Sequence, residues 1–301
     1  FRAVKSETGD LLYVEVDGKQ DKIYVGESLD LTLRILVKPY HDGRFDITLS
    51  PSDMWDLISQ QHTEWGAFQE TIEGWAEDRQ SVTGERVLRS DAEGEDQVYY
   101  AYEIPATIYP TRPGQVDTGD VQIVLQYPTA LQQNRGFFSS GGLAIAQARP
   151  LVENAKVPST RVIPVPEEGR PADYRGAVGQ YEMITRAHPR RVKAGDPITL
   201  NIGIRGDGPM ELVQSPPLSE LSTVTEKFKV PGESLAGVVE GDVKVFSVDI
   251  RPRTAGIAEI PALPLSFFNP ANEKYETVYS EPISIEVDAA DQLALSSVVS
   301  S

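Results

Sequence analysis

The stretch Tyr24-Val-Gly-Glu-Ser-Leu-Asp-Leu-Thr-Leu-Arg-Ile35 returns as Lys193-Ala-Gly-Asp-Pro-Ile-Thr-Leu-Asn-Ile-Gly-Ile204. A second landmark follows each copy in the same order, Tyr109-Pro-Thr-Arg-Pro-Gly114 and Arg251-Pro-Arg-Thr-Ala-Gly256. A chain that repeats itself in this way is one module used twice, and 301 residues at 40% hydrophobic content suffice for two domains with their own cores. The run Leu29 to Val37 puts Leu29, Leu31, Leu33 and Ile35 on one side and Asp30, Thr32 and Arg34 on the other, the period of a half-buried strand. Similar runs at Leu11 to Val16, Phe45 to Leu49, Val98 to Ile104, Val121 to Tyr127 and Arg161 to Val165 complete the first copy. Those at Tyr181 to Ala187, Ile198 to Ile204, Glu211 to Val213, Phe228 to Val230, Val243 to Ile250, Leu263 to Phe268 and Ile283 to Val287 make the second. Short strands with Pro, Gly and Asp punctuation at these spacings predict an all-β chain of two tandem immunoglobulin-like β-sandwich domains, 1–157 and 158–288, followed by a polar linker tail, 289–301.

The copies differ in one place. From Gly26 to Pro110 is 84 positions and from Gly195 to Pro252 is 57, so the first copy carries 27 extra residues. Ser50-Pro51-Ser52-Asp53 supplies a capping hydroxyl, a proline for the first helical position and an acid near the positive end of the dipole, which predicts a helical insertion over about residues 51–75. At about 100° per residue, Met54, Leu57, Ile58, Trp65, Phe68, Ile72 and Trp75 form one apolar stripe with Trp55 on its edge. Gly66 inside the run weakens it and leaves open a division into two shorter helices. All three tryptophans of the chain lie here, and two readings follow: the stripe covers the first sandwich as core, or Trp55, Trp65, Phe68 and Trp75 are held out as anchors for a partner protein. Phe137 and Phe138, in the Gly- and Ser-rich stretch 134–142 between the sandwiches, form a hairpin tip that either wedges into a partner or tucks back on its own sheet.

Composition removes several activities. Asp plus Glu number 45 against 28 Lys plus Arg, and a formal charge of −17 repels phosphate backbones, so nucleic acid is not expected as a partner. Zero cysteines exclude disulfides, thiolate nucleophiles and Cys-ligated metals. His41, His62 and His188 are scattered, Ser139-Ser140-Gly141 does not fit a hydrolase elbow, and no phosphate-binding glycine pattern occurs. Asp91-Ala-Glu-Gly-Glu-Asp96 lacks the order that wraps calcium, and Arg205-Gly206-Asp207 reads as turn chemistry rather than an adhesion signal. No catalytic residue, cofactor or metal is therefore expected, and the chain is read as not an enzyme. No apolar run is long enough to span a membrane. The opening at Phe1, inside a strand-like segment and without an initiator Met, is what an excerpt of a longer protein would show.

The stretch Val165-Pro-Glu-Glu-Gly-Arg-Pro-Ala-Asp-Tyr-Arg-Gly-Ala-Val-Gly-Gln-Tyr181 resembles the BatD family of the bacterial aerotolerance operon, with Gly169-Arg-Pro-Ala-Asp-Tyr-Arg-Gly-Ala-Val-Gly179 as the most specific part. Val192-Lys-Ala-Gly-Asp-Pro-Ile-Thr-Leu200, Arg251 to Leu263 and Phe268 to Val287 extend the resemblance over about 161–287, while 10–128 matches in pattern alone. The resemblance implies serial immunoglobulin-like domains in the periplasm, held to the cytoplasmic membrane by a C-terminal helix, in a noncatalytic arm of an oxygen-tolerance complex. It implies partners of the von Willebrand A, tetratricopeptide-repeat or MoxR-linked Bat kinds. Independently, the prolines at 158, 164, 166 and 171 stiffen the connection and suit a spacer for recognition. A carbohydrate- or calcium-dependent adhesin of the cell envelope is the alternative, since exposed tryptophans bind sugars by stacking.

Overall fold

The duplicated segment folds into the same hydrogen-bonded corner twice. In the first copy the Gly26 amide donates to the Pro110 carbonyl (2.8 Å), and in the second the Gly195 amide donates to the Pro252 carbonyl (2.9 Å). Both glycines are left-handed, with φ of 84° and 92°, a conformation that costs a residue with a Cβ about 1–2 kcal/mol. The acid one position later closes each corner: Glu27 accepts from the Tyr24 amide (2.8 Å) and Asp196 from the Lys193 amide (3.2 Å). Each corner also adds to a closing strand, the Val25 amide donating to Ile163 and the Ala194 amide to Asp288.

The computed structural model describes residues 10–18, 20–90, 95–133, 143–157, 159–233 and 235–290. They divide into two compact units, the first formed by residues up to Lys22, Leu29–Ile108 and Gly114–Val162, the second by Ile23–Ser28, Tyr109–Pro113 and the chain from Ile163 onward. Unit 1 has a four-stranded antiparallel sheet in the order Leu12–Gly18, Leu29–Val37, Asp96–Ile108, Glu85–Ser90. Its second sheet is centred on Val121–Gln133, flanked by Leu143–Asn154 and by Glu64–Trp65. In unit 2 the strands Tyr181–His188, Ile198–Gly206 and Val243–Pro252 run in order, with Gly237–Glu240 and Phe228–Lys229 pairing along the far side of the last. The hairpin Pro264–Asn269 with Lys274–Tyr279 belongs to its other layer, and Arg191–Lys193 runs parallel to Glu286–Asp288. Both units are immunoglobulin-like β-sandwiches.

The strands after the two corners have matching registers: Leu29 faces Ile108, and Ile198 faces Ile250. Inward residues alternate as the sequence predicts, Leu29, Leu31, Leu33 and Ile35 in one unit and Ile198, Leu200, Ile202 and Ile204 in the other, all buried. Burying each such side chain contributes about 1.5–3 kcal/mol, which makes these two strands the main anchors of their cores. On the outward face one cross-strand pair occurs in both units with its members exchanged: Thr107 Oγ1 donates to Asp30 (2.8 Å), and Thr199 Oγ1 donates to Asp249 (2.7 Å).

Several expected elements differ. Residues 143–154, where the sequence marks no strand, form one. Most of its side chains are exposed, because it is held at an edge by its ladder to Val121–Gln133, so it carries no apolar alternation to read. Glu211 to Val213 is not a strand: Met210–Leu212 forms a 3-10 turn after the Gly206-Asp-Gly-Pro209 reversal. Phe45 to Leu49 narrows to Ile47–Thr48, paired with His41–Asp42. That small hairpin is pinned by buried Asp42, which accepts from the Arg44 amide (2.9 Å), the Arg44 guanidinium (2.8 Å) and the Leu131 amide (3.1 Å). The Arg44 contacts hold the Asp42 carboxyl well below the usual carboxylate range.

Two outcomes follow. Gly26→Ala and Gly195→Ala should each lower stability by about 1–2 kcal/mol in urea unfolding followed by far-ultraviolet circular dichroism. A carboxyl whose folded pKa is depressed stabilises fully above its unfolded value and loses that contribution as pH falls. Acid titration of stability below about pH 4 should therefore be shallower in Asp42→Asn than in the parent chain.

Candidate functional site

The insertion of the first sandwich is the first candidate surface. Ser50 caps a short helix, Pro51–Trp55, through a capping box with Asp53. The expected single helix stops there, because residues 57–59 turn to pair with the second sheet: the Ser59 amide donates to Val124 (2.8 Å) and the Gln126 amide to Leu57 (2.9 Å). Glu64–Trp65 extends that pairing to Val121 and Gln122. Gly66 follows at φ 51°, where a Cβ would stand 2.3 Å from the Thr118 carbonyl. Only glycine fits, and a 3-10 turn, Gly66–Phe68, then leads into a second helix, Gln69–Glu77.

This arrangement turns the apolar stripe inward. Trp65 is 2% exposed, Phe68 0% and Trp55 9%, and Trp55 packs at 5.2 Å from the Tyr102 ring and 6.1 Å from the Trp65 ring. Tyr102, itself buried, donates its hydroxyl to the Pro51 carbonyl and ties the helix to the sheet. Trp55, Trp65 and Phe68 are thus filled by the protein's own core rather than held out as anchors, because the strand pairing of 57–59 draws the insertion onto the sheet. Trp75 is half-buried. Phe137 and Phe138 lie outside the described residues, as do positions 91–94 of the acidic loop and the tail from 291.

The second candidate is the stretch from Val165 to Tyr181, whose residues build a small aromatic box in unit 2. Arg170 donates to the Tyr275 hydroxyl (3.0 Å) and to the Val165 and Pro166 carbonyls (both 3.3 Å), with its guanidinium over the Tyr174 ring. Tyr174 and Tyr275 meet edge to face at 5.0 Å, and burial pushes the Tyr174 phenol up to about 12. Asp173 accepts from Ser266 (2.7 Å), while Gly176-Ala-Val-Gly179 lies along the strand Pro264–Asn269, the Gly179 amide donating to Phe268 and the Phe268 amide to Ala177. Val178, Phe268 and Tyr24 form the buried centre, with Tyr24 edge to face on Phe268 at 4.7 Å. The arginine, acid, tyrosine and glycines of this stretch are accounted for by the chain's own contacts, and none is arranged around a reacting centre.

The other singled-out groups are dispersed. His41 meets Thr48, and His62 meets Ser59. Arg205 pairs with Glu182 (2.7 Å), and Asp207 accepts from the Gln180 amide, which places the Arg-Gly-Asp tripeptide in a strand-end turn. Among the described residues no three His, Asp or Glu side chains gather as a metal site.

Residues 185–287, the body of unit 2, match the family model described as BatD DUF11 like domain. The chain carries a BatD domain. No curated protein matches the chain.

What the BatD domain and its companion leave open is strand edges. Among the described residues, Glu85–Ser90 and Gly237–Glu240 are each paired on one side only, and Tyr181–His188 and Lys274–Tyr279 end their layers in the same way. Leu88, Val238, Ile184 and Tyr279, one on each of these strands, are 62–69% exposed. Sequence reading passed over them because it sought apolar side chains in stripes. The available signal is parity: in Tyr181-Glu-Met-Ile-Thr-Arg-Ala187 the inward set is Tyr181, Met183 and Ala187, so Ile184 points out. No helix among the described residues is long and apolar enough to cross a membrane.

In acrylamide quenching, Trp55 and Trp65 should be protected and Trp75 should supply most of the quenchable emission. Trp75→Phe is expected to flatten the Stern–Volmer slope, whereas an unchanged slope would place the exposed indole elsewhere.

Proposed function

We propose that this chain is a noncatalytic interaction arm of a BatD-type oxygen-tolerance complex in the bacterial envelope, working in the periplasm and tethered by a membrane helix outside the given sequence. The observation that carries the reading is the BatD domain itself, set in a duplicated sandwich whose one-sided strands present large apolar side chains. An unpaired edge offers a row of backbone donors and acceptors, and an extended segment of another protein satisfies them by adding a strand. Outward faces suit this division of labour. They are laced with cross-strand pairs such as Arg34–Glu103 and Arg205–Glu182, both at 2.7 Å, while Leu88, Val238, Ile184 and Tyr279 stand exposed on the edge strands. The partner class comes from the family: a von Willebrand A-type sibling first, with tetratricopeptide-repeat or MoxR-linked Bat proteins as the others. Sugar stacking is not favoured at Trp55 or Trp65, whose rings are buried in the sandwich.

Calorimetric titration of the chain with a purified von Willebrand A-type sibling should give saturable binding. Val238→Lys and Leu88→Lys, which place a charge on an edge without touching the core, should identify the edge used by weakening binding about tenfold or more. A flat titration with a folded chain, for each of the three sibling classes, would remove the reading.

A further inference from the structure

The strand Val243–Pro252 alternates strictly, with Phe246, Val248 and Ile250 pointing into the sandwich. That parity also turns Lys244 inward, opposite Ile204. A lysine at a core register is expensive unless its ammonium is satisfied. Lys244 is 8% exposed, its stem is covered by Gly237, where a Cβ would stand 2.8 Å from Lys244 Cε, and Nζ lies 5.6 Å from the centre of the Phe246 ring. The ammonium donates to the Glu211 carbonyl (2.8 Å), and burial pushes its pKa down. None of the described carboxylates lies within ion-pair distance. Glu211 is exposed and its pull toward the charged form is outweighed by burial, Glu220 is held by Arg175 (2.7 Å), and Glu233 is exposed.

The repeat shows what ordinarily fills this position. The position equivalent to Lys244 in the first sandwich is Tyr102, opposite Ile35, and there the insertion lies on it through Pro51 and Trp55. The second sandwich has no such insertion. In its place is a cleft of about 670 Å³ lined by Lys244, Phe246, Pro216, Leu218, Leu235 and Ser215. This volume lies within the range of ordinary ligand sites, which are typically about 300–1,000 Å³.

We propose that this cleft is a binding site for a single carboxylate flanked by apolar groups, as presented by an acidic residue in an extended peptide. The carboxylate would supply the opposite charge and the acceptors that a three-donor ammonium lacks when it serves one carbonyl. Pro217 and Leu235, the part-exposed apolar residues of the cleft, would cover the apolar neighbours, and Glu211 and Glu233 would disfavour a second negative charge. This deepens the interaction-arm reading by giving one class of recognised segment. It rests on the Lys244 cleft and not on adding a strand to an edge, and it is tested without any sibling protein, so either idea can fail alone.

The probes are acetyl-Leu-Pro-Leu-Glu-Leu-amide, its Glu-to-Gln analogue and sodium acetate, added to the full chain carrying ¹³C-labelled lysine. The Lys244 Cε resonance should shift saturably with the Glu peptide, and its titration midpoint should rise, since a nearby carboxylate favours the ammonium. The Gln analogue should bind about thirtyfold more weakly, and Lys244→Gln and Lys244→Met should lose the Glu preference by the same factor while keeping the parent circular dichroism. Acetate saturating the site as readily as the peptide would overturn the peptide as ligand and leave a free small carboxylate. Equal binding of the Glu and Gln peptides, or a Lys244 resonance unmoved by all three probes, would overturn the site.

Discussion

A left-handed glycine whose amide reaches the carbonyl at the end of a neighbouring strand is the constraint on which both sandwiches turn. Gly26 and Gly195 reverse the chain within a few residues and deliver it to Leu29 and Ile198 in the register that faces the core. The acid after each glycine ties back to the residue before the turn, so the corner is closed from both sides. A one-residue slip there would carry every leucine and isoleucine of the following strand to the solvent face. The repeat therefore survives most clearly at the corner and blurs elsewhere, where many apolar residues serve equally well.

How far the fold was legible depends on what holds each element. Leu29–Val37 and Ile198–Gly206 could be read because packing holds them, and packing leaves a period of two. Leu143–Asn154 and Glu85–Ser90 are held by backbone ladders at an edge, where side chains are free to vary, and no pattern marks them. The insertion misled in a different way. Its residues fit a helical stripe from Met54 to Trp75, yet Leu57 to Ser59 finds partners on the second sheet, and a tertiary ladder outweighs a local preference. The break falls at Asp56 to Ser59, and Gly66 is where the chain turns back into helix.

For the candidate surfaces, sequence and structure divide differently. The arginine, acid and tyrosine of Gly169 to Gly179 were visible as a family feature, but their work, a box of Arg170, Tyr174 and Tyr275 beside the Pro264–Asn269 strand, needed coordinates. Trp55 and Trp65 drew notice as rare and bulky, and they proved to be the lid of their own core. Lys244 was printed in plain view at a core parity, and the register of Phe246, Val248 and Ile250 was enough to expose it. An aromatic residue in one copy and a cation in the other, at matching positions, mark where duplicated modules parted: one closed over itself and the other stayed open.

The exchanged pair on the outward faces bears on how a doubled protein avoids confusing its halves. Tandem modules with similar strands are prone to assemble across copies. Were the Leu29–Val37 strand to dock on Val243–Pro252 in the native register, Asp30 would meet Asp249, two carboxylates directly opposed. Like charges across a ladder are repulsive, so the exchange disfavours that mispairing relative to the native one.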